Sequence, residues 1–175
     1  VMNITENKKF EQRLLVQSRM DALTKICNRG YGEAQIEKLL KAKKNGMFLL
    51  FDVDKFKHIN DTYGHSIGDE VLIQVADALK QTFEQAGVCM RLGGDEFAVY
   101  APEITEQMQA ETMIQAFFER IRNIAIPQME GDAISVSLGA VLCAPDREHV
   151  FEKVYQRADA TMYTCKKVIG NSYDF

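Results

Sequence analysis

Hydrophobic positions change their period several times along the chain, and each change marks an element. Met47-Phe48-Leu49-Leu50-Phe51-Asp52-Val53 is an almost unbroken apolar run that follows the turn pair Asn45-Gly46. Such a run predicts a central strand buried on both faces. It ends in two carboxylates, Asp52 and Asp54. Helical spacing governs four other stretches. About 28–44, Ile36, Leu39 and Leu40 share a face, and Lys38, Lys41, Lys43 and Lys44 crowd the C-terminal end, where the helix dipole favours cations. About 66–86, Val71, Val75, Leu79 and Phe83 recur four apart, Ser66 and Asp69 have capping-box spacing, and Gly87 is a stop signal. About 105–124, the apolar positions are Met108, Met113, Phe117, Ile121 and Ile124; about 148–168 they are Phe151, Tyr155, Ala158, Met162 and Cys165. Val88–Leu92 and Phe97–Tyr100 flank Gly93-Gly94 and predict a β-hairpin, and the alternation of 134–141 predicts a further strand. Helices alternating with strands, one pair of them a hairpin, imply an α/β domain: a mixed central sheet flanked by helices.

Residues 1–20 read differently. Polar sequence with scattered Phe10, Leu14, Leu15, Val16 and Met20 predicts a helix with a thin apolar seam, suited to a short coiled coil. Residues 1–9 read as a strand end followed by a helix start, with Thr5 a candidate N-cap. The chain therefore divides into a linker or signalling helix, 1–20, and a domain, 21–175. Opening on Val1, it reads as a piece of a longer protein.

Composition narrows the function classes. With 175 residues, 46% hydrophobic and 26% charged, the chain can bury a core. A net charge of −4 argues against a nucleic-acid partner but leaves room for a small phosphorylated ligand held by local cations and a metal. Cys27, Cys89, Cys143 and Cys165 lack zinc spacing and read as reduced, buried thiols. No apolar run approaches the roughly 20 residues of a membrane span, and no signal peptide is visible. The expectation is a cytoplasmic domain whose parent protein is either soluble or membrane-anchored. His58, His65 and His149 are isolated and read as structural.

Two acidic groups carry the candidate chemistry: Asp52 at the end of the apolar strand, and Asp95-Glu96 directly after Gly93-Gly94. If strand 47–53 lies beside the hairpin, Asp52 and Asp95 come within metal-bridging distance, since neighbouring strands are about 5 Å apart. Carboxylates that close repel unless a cation joins them, and Mg²⁺ suits an all-oxygen site completed by phosphates, with Mn²⁺ the alternative. Gly93 and Gly94 would let a ligand approach the backbone. The spacing alone is equally compatible with an ordinary Gly-Gly-Asp turn. Asp54 reads as a turn or cap residue, Asp69 as a cap carboxylate, and Lys166 and Lys167 as solvated charges at a helix end.

Beyond these patterns, Arg91-Leu92-Gly93-Gly94-Asp95-Glu96-Phe97 contains the signature of the GGDEF family of diguanylate cyclases. Other landmarks follow in order: Asp21-Ala22-Leu23-Thr24 with Asn28-Arg29; Phe51-Asp52-Val53-Asp54-Lys55-Phe56-Lys57 with Asn60-Asp61, Tyr63-Gly64-His65 and Gly68-Asp69; Ser135–Gly139; and Ala158-Asp159-Ala160 with Met162-Tyr163 and Lys166. The resemblance covers roughly 21–173 and implies a palm-like nucleotidyl cyclase architecture, with the signature on the hairpin. It implies that Asp52, Asp95 and the Val53 carbonyl hold Mg²⁺, and that Glu96 is a further ligand or helps deprotonate the attacking hydroxyl. It also implies that Asn60 and Asp69 bind the guanine edge and that Lys57 and Lys166 hold the β- and γ-phosphates. The implied reaction condenses two GTP into cyclic di-GMP and two pyrophosphates between two facing domains, so the active form is a homodimer.

The chain departs from the family pattern twice. Where relatives carry an Arg-x-x-Asp product-inhibition site, Glu84-Gln85-Ala86-Gly87 stands, so both product-binding side chains are missing. Where relatives have Gly-Arg-Asn, Ile169-Gly170-Asn171 stands, which removes a phosphate-binding arginine that Lys167 would partly replace. The alternative function is therefore a catalytically weak or silent GTP-binding regulatory domain. Asn3–Lys9 resembles the exit of a PAS sensor domain, which implies an upstream sensor in the same chain.

Overall fold

The computed structural model describes residues 4–175. In chain order the elements are α1 (Ile4–Arg19), α2 (Arg29–Lys41), β1 (Met47–Val53), α3 (Phe56–Tyr63), α4 (His65–Phe83), β2 (Val88–Gly93), β3 (Glu96–Ala101), α5 (Gln107–Arg122), a 3₁₀ turn (Pro127–Met129), β4 (Val136–Leu142), α6 (Phe151–Cys165) and β5 (Ser172–Asp174). The five-stranded sheet has the order β2-β3-β1-β4-β5. Strand β1 is antiparallel to both β3 and β4, and only β4–β5 is parallel, which makes the sheet mixed as expected.

The apolar run of β1 is explained by helices on both faces of the sheet. Met47, Leu49, Phe51 and Val53 join a cluster with Val71, Val75, Leu79 and Phe83 of α4 and Ile114, Phe117 and Ile121 of α5. Phe48 and Leu50 point the other way, into a cluster with Ile36 and Leu40 of α2 and Phe151, Val154, Ala158 and Met162 of α6. The α6 layer comes very close to the sheet. A Cβ at Gly139 of β4 would sit 2.1 Å from the Ala158 carbonyl oxygen and 2.7 Å from the Met162 nitrogen, so only glycine allows the approach.

Several local expectations are corrected. Thr5 lies inside α1, so it is not the N-cap, and 4–9 are helical; of the stretch read as a strand end and helix start, residues 1–3 lie outside the described residues. The Ser66/Asp69 capping box does not form: α4 starts at His65 after Gly64, whose φ of 92° breaks the chain away from α3, and no side chain caps it. Helix α3, with the αL residue Lys55 before it, was not anticipated, nor was the three-residue β5. Met108 is 79% exposed because helical rotation of about 100° per residue sets it on the side of α5 opposite Phe117; Ala110, Ile114, Phe117, Phe118 and Ile121 form the buried face. Cys27 is only half-buried, while Cys89, Cys143 and Cys165 are buried; all four are free thiols. Asp54 caps no helix. Its carboxylate accepts from Ser135 Oγ and Ser137 Oγ, each at 2.5 Å, and so stitches the end of β1 to β4.

Gly139→Ala should destabilise the fold by about 1–3 kcal/mol, the usual range for overpacking a tight contact. Urea denaturation checks this, and an unchanged midpoint would show that α6 can lift off β4 freely.

Candidate active site

The strand register builds the site. Asp52 is the cross-strand partner of Glu96, and the Val53 nitrogen donates to the Asp95 carbonyl at 3.3 Å. The end of β1 therefore lies against the hairpin turn, as the sequence required for Asp52 and Asp95 to meet. The turn itself needs its glycines, with φ of 143° at Gly93 and 51° at Gly94. Arg91 braces it. Its Nε and Nη2 donate to the Gly94 carbonyl at 3.0 and 2.7 Å, while Nη1 reaches both Asp21 carboxylate oxygens at 3.2 Å. Asp21 also accepts from the Thr24 nitrogen and Oγ1. Burial pushes the Asp21 carboxyl up, but the Thr24 hydrogen bonds and the Arg91 guanidinium outweigh it and hold the carboxyl below its ordinary value. This brace received no role from the sequence. Asp-x-x-Thr spacing hinted at a local turn, but nothing linked it to an arginine 70 positions away.

Beside the turn lies a cavity of about 1050 Å³ whose lining includes Asp52, Val53, Lys57, Asn60, Asp95 and Lys166. It thus gathers six of the residues expected at the site. Lys167 and Gly170 line it as well. Asp69, Glu96, Gly93 and Gly94 do not. Asp69 is exposed on α4, next to Gly68, on which the Asn60 side chain rests; a Cβ at Gly68 would come within 1.8 Å of Asn60 Oδ1. Gly93 and Gly94 are exposed at the turn, and Glu96 accepts a hydrogen bond from Tyr155. At another rim, the Tyr63 hydroxyl donates to Asp132, a cavity residue that the sequence had not singled out.

The cavity lining carries four aspartates and four lysines, but its charges are unevenly placed around Asp52 and Asp95. Lys166 Nζ lies 2.6 Å from Asp52 Oδ2. Burial nevertheless leaves the Asp52 carboxyl above its ordinary value, against the pull of Lys166. The Asp95 carboxyl is pushed up by burial and then by the Asp52 charge. The Lys166 ammonium is held above its usual value by its hydrogen bond to Asp52. One lysine thus serves two half-buried carboxylates. A hard divalent cation fits this corner, because its donors are two carboxylates and a peptide carbonyl, all oxygen. Among the described residues no three His, Cys, Asp or Glu side chains converge on a metal-binding point. Mg²⁺ commonly takes the remainder of its shell from water and substrate phosphates.

Residues 18–172 match the family model described as "Diguanylate cyclase, GGDEF domain". The chain belongs to the GGDEF family. Diguanylate cyclase DosC of Escherichia coli K12 is 35% identical over 170 residues, covering 90% of this GGDEF chain and 35% of that protein. The probable diguanylate cyclase DgcC of the same strain is 30% identical over 174 residues, covering 95% of this chain and 46% of that one. An uncharacterised Bacillus subtilis protein, YtrP, is 30% identical over 161 residues, covering 92% of this chain and 27% of that one. The chain thus spans less than half the length of these curated relatives. Among solved structures, the GGDEF domain of YfiN from Pseudomonas aeruginosa superposes with a TM-score of 0.75 at 27% identity, over 86% of this chain and 96% of that one. The coiled coil and GGDEF domain of DgcB from Caulobacter crescentus gives a TM-score of 0.80 at 20% identity, over 98% and 93%, a likeness of fold.

The raised Asp95 carboxyl has a consequence for stability. A carboxyl whose folded pKa exceeds its unfolded value loses stability as pH rises between the two, and the loss persists above the folded value. At neutral pH the metal-free protein therefore carries a penalty that Asp95→Asn removes. The thermal midpoint of that variant should rise by a few degrees, on a scale of about 2–4 °C per kcal/mol for this size. Mg²⁺ with GTP should then raise the wild-type midpoint more than the variant's. A lower midpoint for metal-free Asp95→Asn would contradict this electrostatic account.

Proposed function

We propose that this chain is a catalytically competent diguanylate cyclase domain, one of two that face each other, each holding one GTP. The observation that carries the reading is the complete signature turn placing Asp95 beside Asp52 in a lysine-lined cavity. The 3′-oxygen of one GTP attacks the α-phosphorus of the other; the bond from that phosphorus to the pyrophosphate bridge breaks, and the hydroxyl proton leaves. The same exchange in the opposite sense closes the ring, giving cyclic di-GMP and two pyrophosphates. Bound Mg²⁺ or Mn²⁺ supplies positive charge to the phosphates and acidifies the attacking hydroxyl. Asp52 and Asp95, with the Val53 carbonyl, are the groups that hold the ion. Glu96 either completes that set or takes the proton.

Lys57, Lys166 and Lys167 hold the triphosphate, and Lys166 exchanges Asp52 for a phosphate oxygen when substrate enters. Lys167 acts in place of the missing arginine, since Gly170 lines the cavity with a φ of 85° and offers only backbone. Asn60 and Asp69 read the guanine edge. The Asp69 carboxylate accepts from guanine N–H groups and repels the N1 lone pair of adenine, which selects GTP over ATP. The turn Glu84–Gly87 borders a separate open groove with Glu103 and Glu106, and no cationic side chain lines it among the described residues. An anionic cyclic dinucleotide finds no counter-charge there, so product inhibition through that site is absent.

Helix α1 is the input element of this reading. Ile4, Phe10, Leu14 and Leu15 are exposed on it, an apolar seam suited to the same helix of a second copy, with an upstream sensor setting how the two domains meet.

Incubation at high protein concentration with Mg²⁺ and GTP should yield cyclic di-GMP, identified by chromatography and mass. Asp95→Ala should yield none, and ATP should not replace GTP. GTP binding without product, even after dimerisation is forced by a fused coiled coil, would favour the silent regulatory alternative. Lys167→Ala should raise the KM for GTP about ten-fold or more, as expected for losing a charge-assisted contact worth about 1.5–3 kcal/mol. An unchanged KM would remove Lys167 from the phosphate site.

A further inference from the structure

Glu96 is the signature carboxylate that does not line the cavity, and one contact accounts for its placement. The Tyr155 hydroxyl donates to Glu96 Oε1 at 2.5 Å. Asp52 and Glu96 are directly opposed across β1 and β3, so their like charges leave the same face of the sheet. Helix α6 and its C-cap supply a donor to each, Tyr155 to Glu96 and Lys166 to Asp52. These two positions lie about three turns apart, roughly 16 Å along a helix axis, so the carboxylates are approached from opposite ends of one helix.

The packing around Tyr155 does not require the hydroxyl. Its ring lies 6.1 Å from that of Phe151 and packs on the apolar cluster of Phe48, Leu50, Ala158 and Met162. Phenylalanine would fill the same space. A tyrosine hydroxyl at the edge of such a cluster needs a partner, and Glu96 is the one it has. Burial, and then the bond to Glu96, push the hydroxyl's pKa up, so it remains a donor at working pH. A hydrogen bond from O–H to a carboxylate is among the stronger ones a protein makes, and it restricts a side chain that otherwise samples several rotamers.

We propose that Tyr155 is a positioning residue for the cyclase reaction, tethering Glu96 by one carboxylate oxygen so that the other is offered to the reaction in a single orientation. The inference rests on the cyclase reading above, in which Glu96 serves the metal or the attacking hydroxyl. Partners that orient a ligating carboxylate typically change metal affinity or activity by about 10–100-fold when removed.

A four-protein cycle tests it: wild type, Tyr155→Phe, Glu96→Gln and the double variant. The first readout is turnover of GTP, resolved into kcat and KM. The second is Mn²⁺ affinity with a non-reacting GTP analogue, followed by electron paramagnetic resonance. Tyr155→Phe should lower kcat about ten-fold with KM for GTP within two-fold, and weaken Mn²⁺ binding several-fold, on the scale of lost carboxylate partners. Its thermal midpoint should stay within a few degrees, because the ring is kept. In the Glu96→Gln background the same substitution should cost nothing further by either readout. Equal losses in both backgrounds, or wild-type kcat and Mn²⁺ affinity in Tyr155→Phe, would overturn the proposal. If none of the four makes cyclic di-GMP, the cyclase reading fails, and the Mn²⁺ cycle still decides whether Tyr155 acts through Glu96.

Discussion

Everything at the site depends on β1 being clamped on four sides. It is hydrogen-bonded to β3 along one edge and β4 along the other, and its two faces are sealed by the α4–α5 and α2–α6 layers. A strand held this way cannot slip by a residue without turning its whole apolar set inside out. Its last residues are therefore delivered to a fixed place. Asp52 opens toward α6, Val53 is pinned to Asp95 through its nitrogen, and Asp54 is fastened to the serines of β4. The cost of bringing half-buried carboxylates together at that corner is borne by a core that has no other way to pack.

Helix α6 is the second support. Its backbone approaches β4 closely because residue 139 has no side chain, and that approach sets where Lys166 and Tyr155 stand. One helix and the residue that ends it thus place both donors to the opposed pair, a neutral hydroxyl for Glu96 and an ammonium for Asp52. Lys166 is the cation paired with Asp52, and the charge left at Asp95 is what a divalent ion, in the proposed reading, would relieve. This is the familiar trade of stability for function at a charged site.

A third connection joins α1 to the signature turn. The Asn28 side chain donates to the Ser18 carbonyl, and its backbone nitrogen donates to the Arg19 carbonyl, so the end of α1 is tied to the start of α2. A few residues away, Asp21 grips Arg91, which grips the Gly94 carbonyl.

The period and punctuation of the sequence were enough to place β1, the hairpin, the amphipathic faces of α4 and α6 and the family signature, because each follows from local spacing and backbone preference. They also brought Asp52 and Asp95 together, and the family resemblance added Lys57, Asn60 and Lys166; all five line the cavity. Other features lay outside local pattern. The break between α3 and α4 turns on one positive-φ glycine. Met108 was grouped with Phe117 and Ile121 although it stands on the opposite side of the helix. Asp54 read as a turn or cap residue and does lie in the turn after β1, but its bonds to Ser135 and Ser137, 81 and 83 positions away, were out of reach of local pattern. The pairings of Arg91 with Asp21, Lys166 with Asp52 and Tyr155 with Glu96 likewise join residues distant in sequence. Sequence by itself determined which groups are present and which elements carry them. Only tertiary packing decided which carboxylate meets which donor, since that depends on the distance between layers, and here on the glycine that lets α6 settle onto β4.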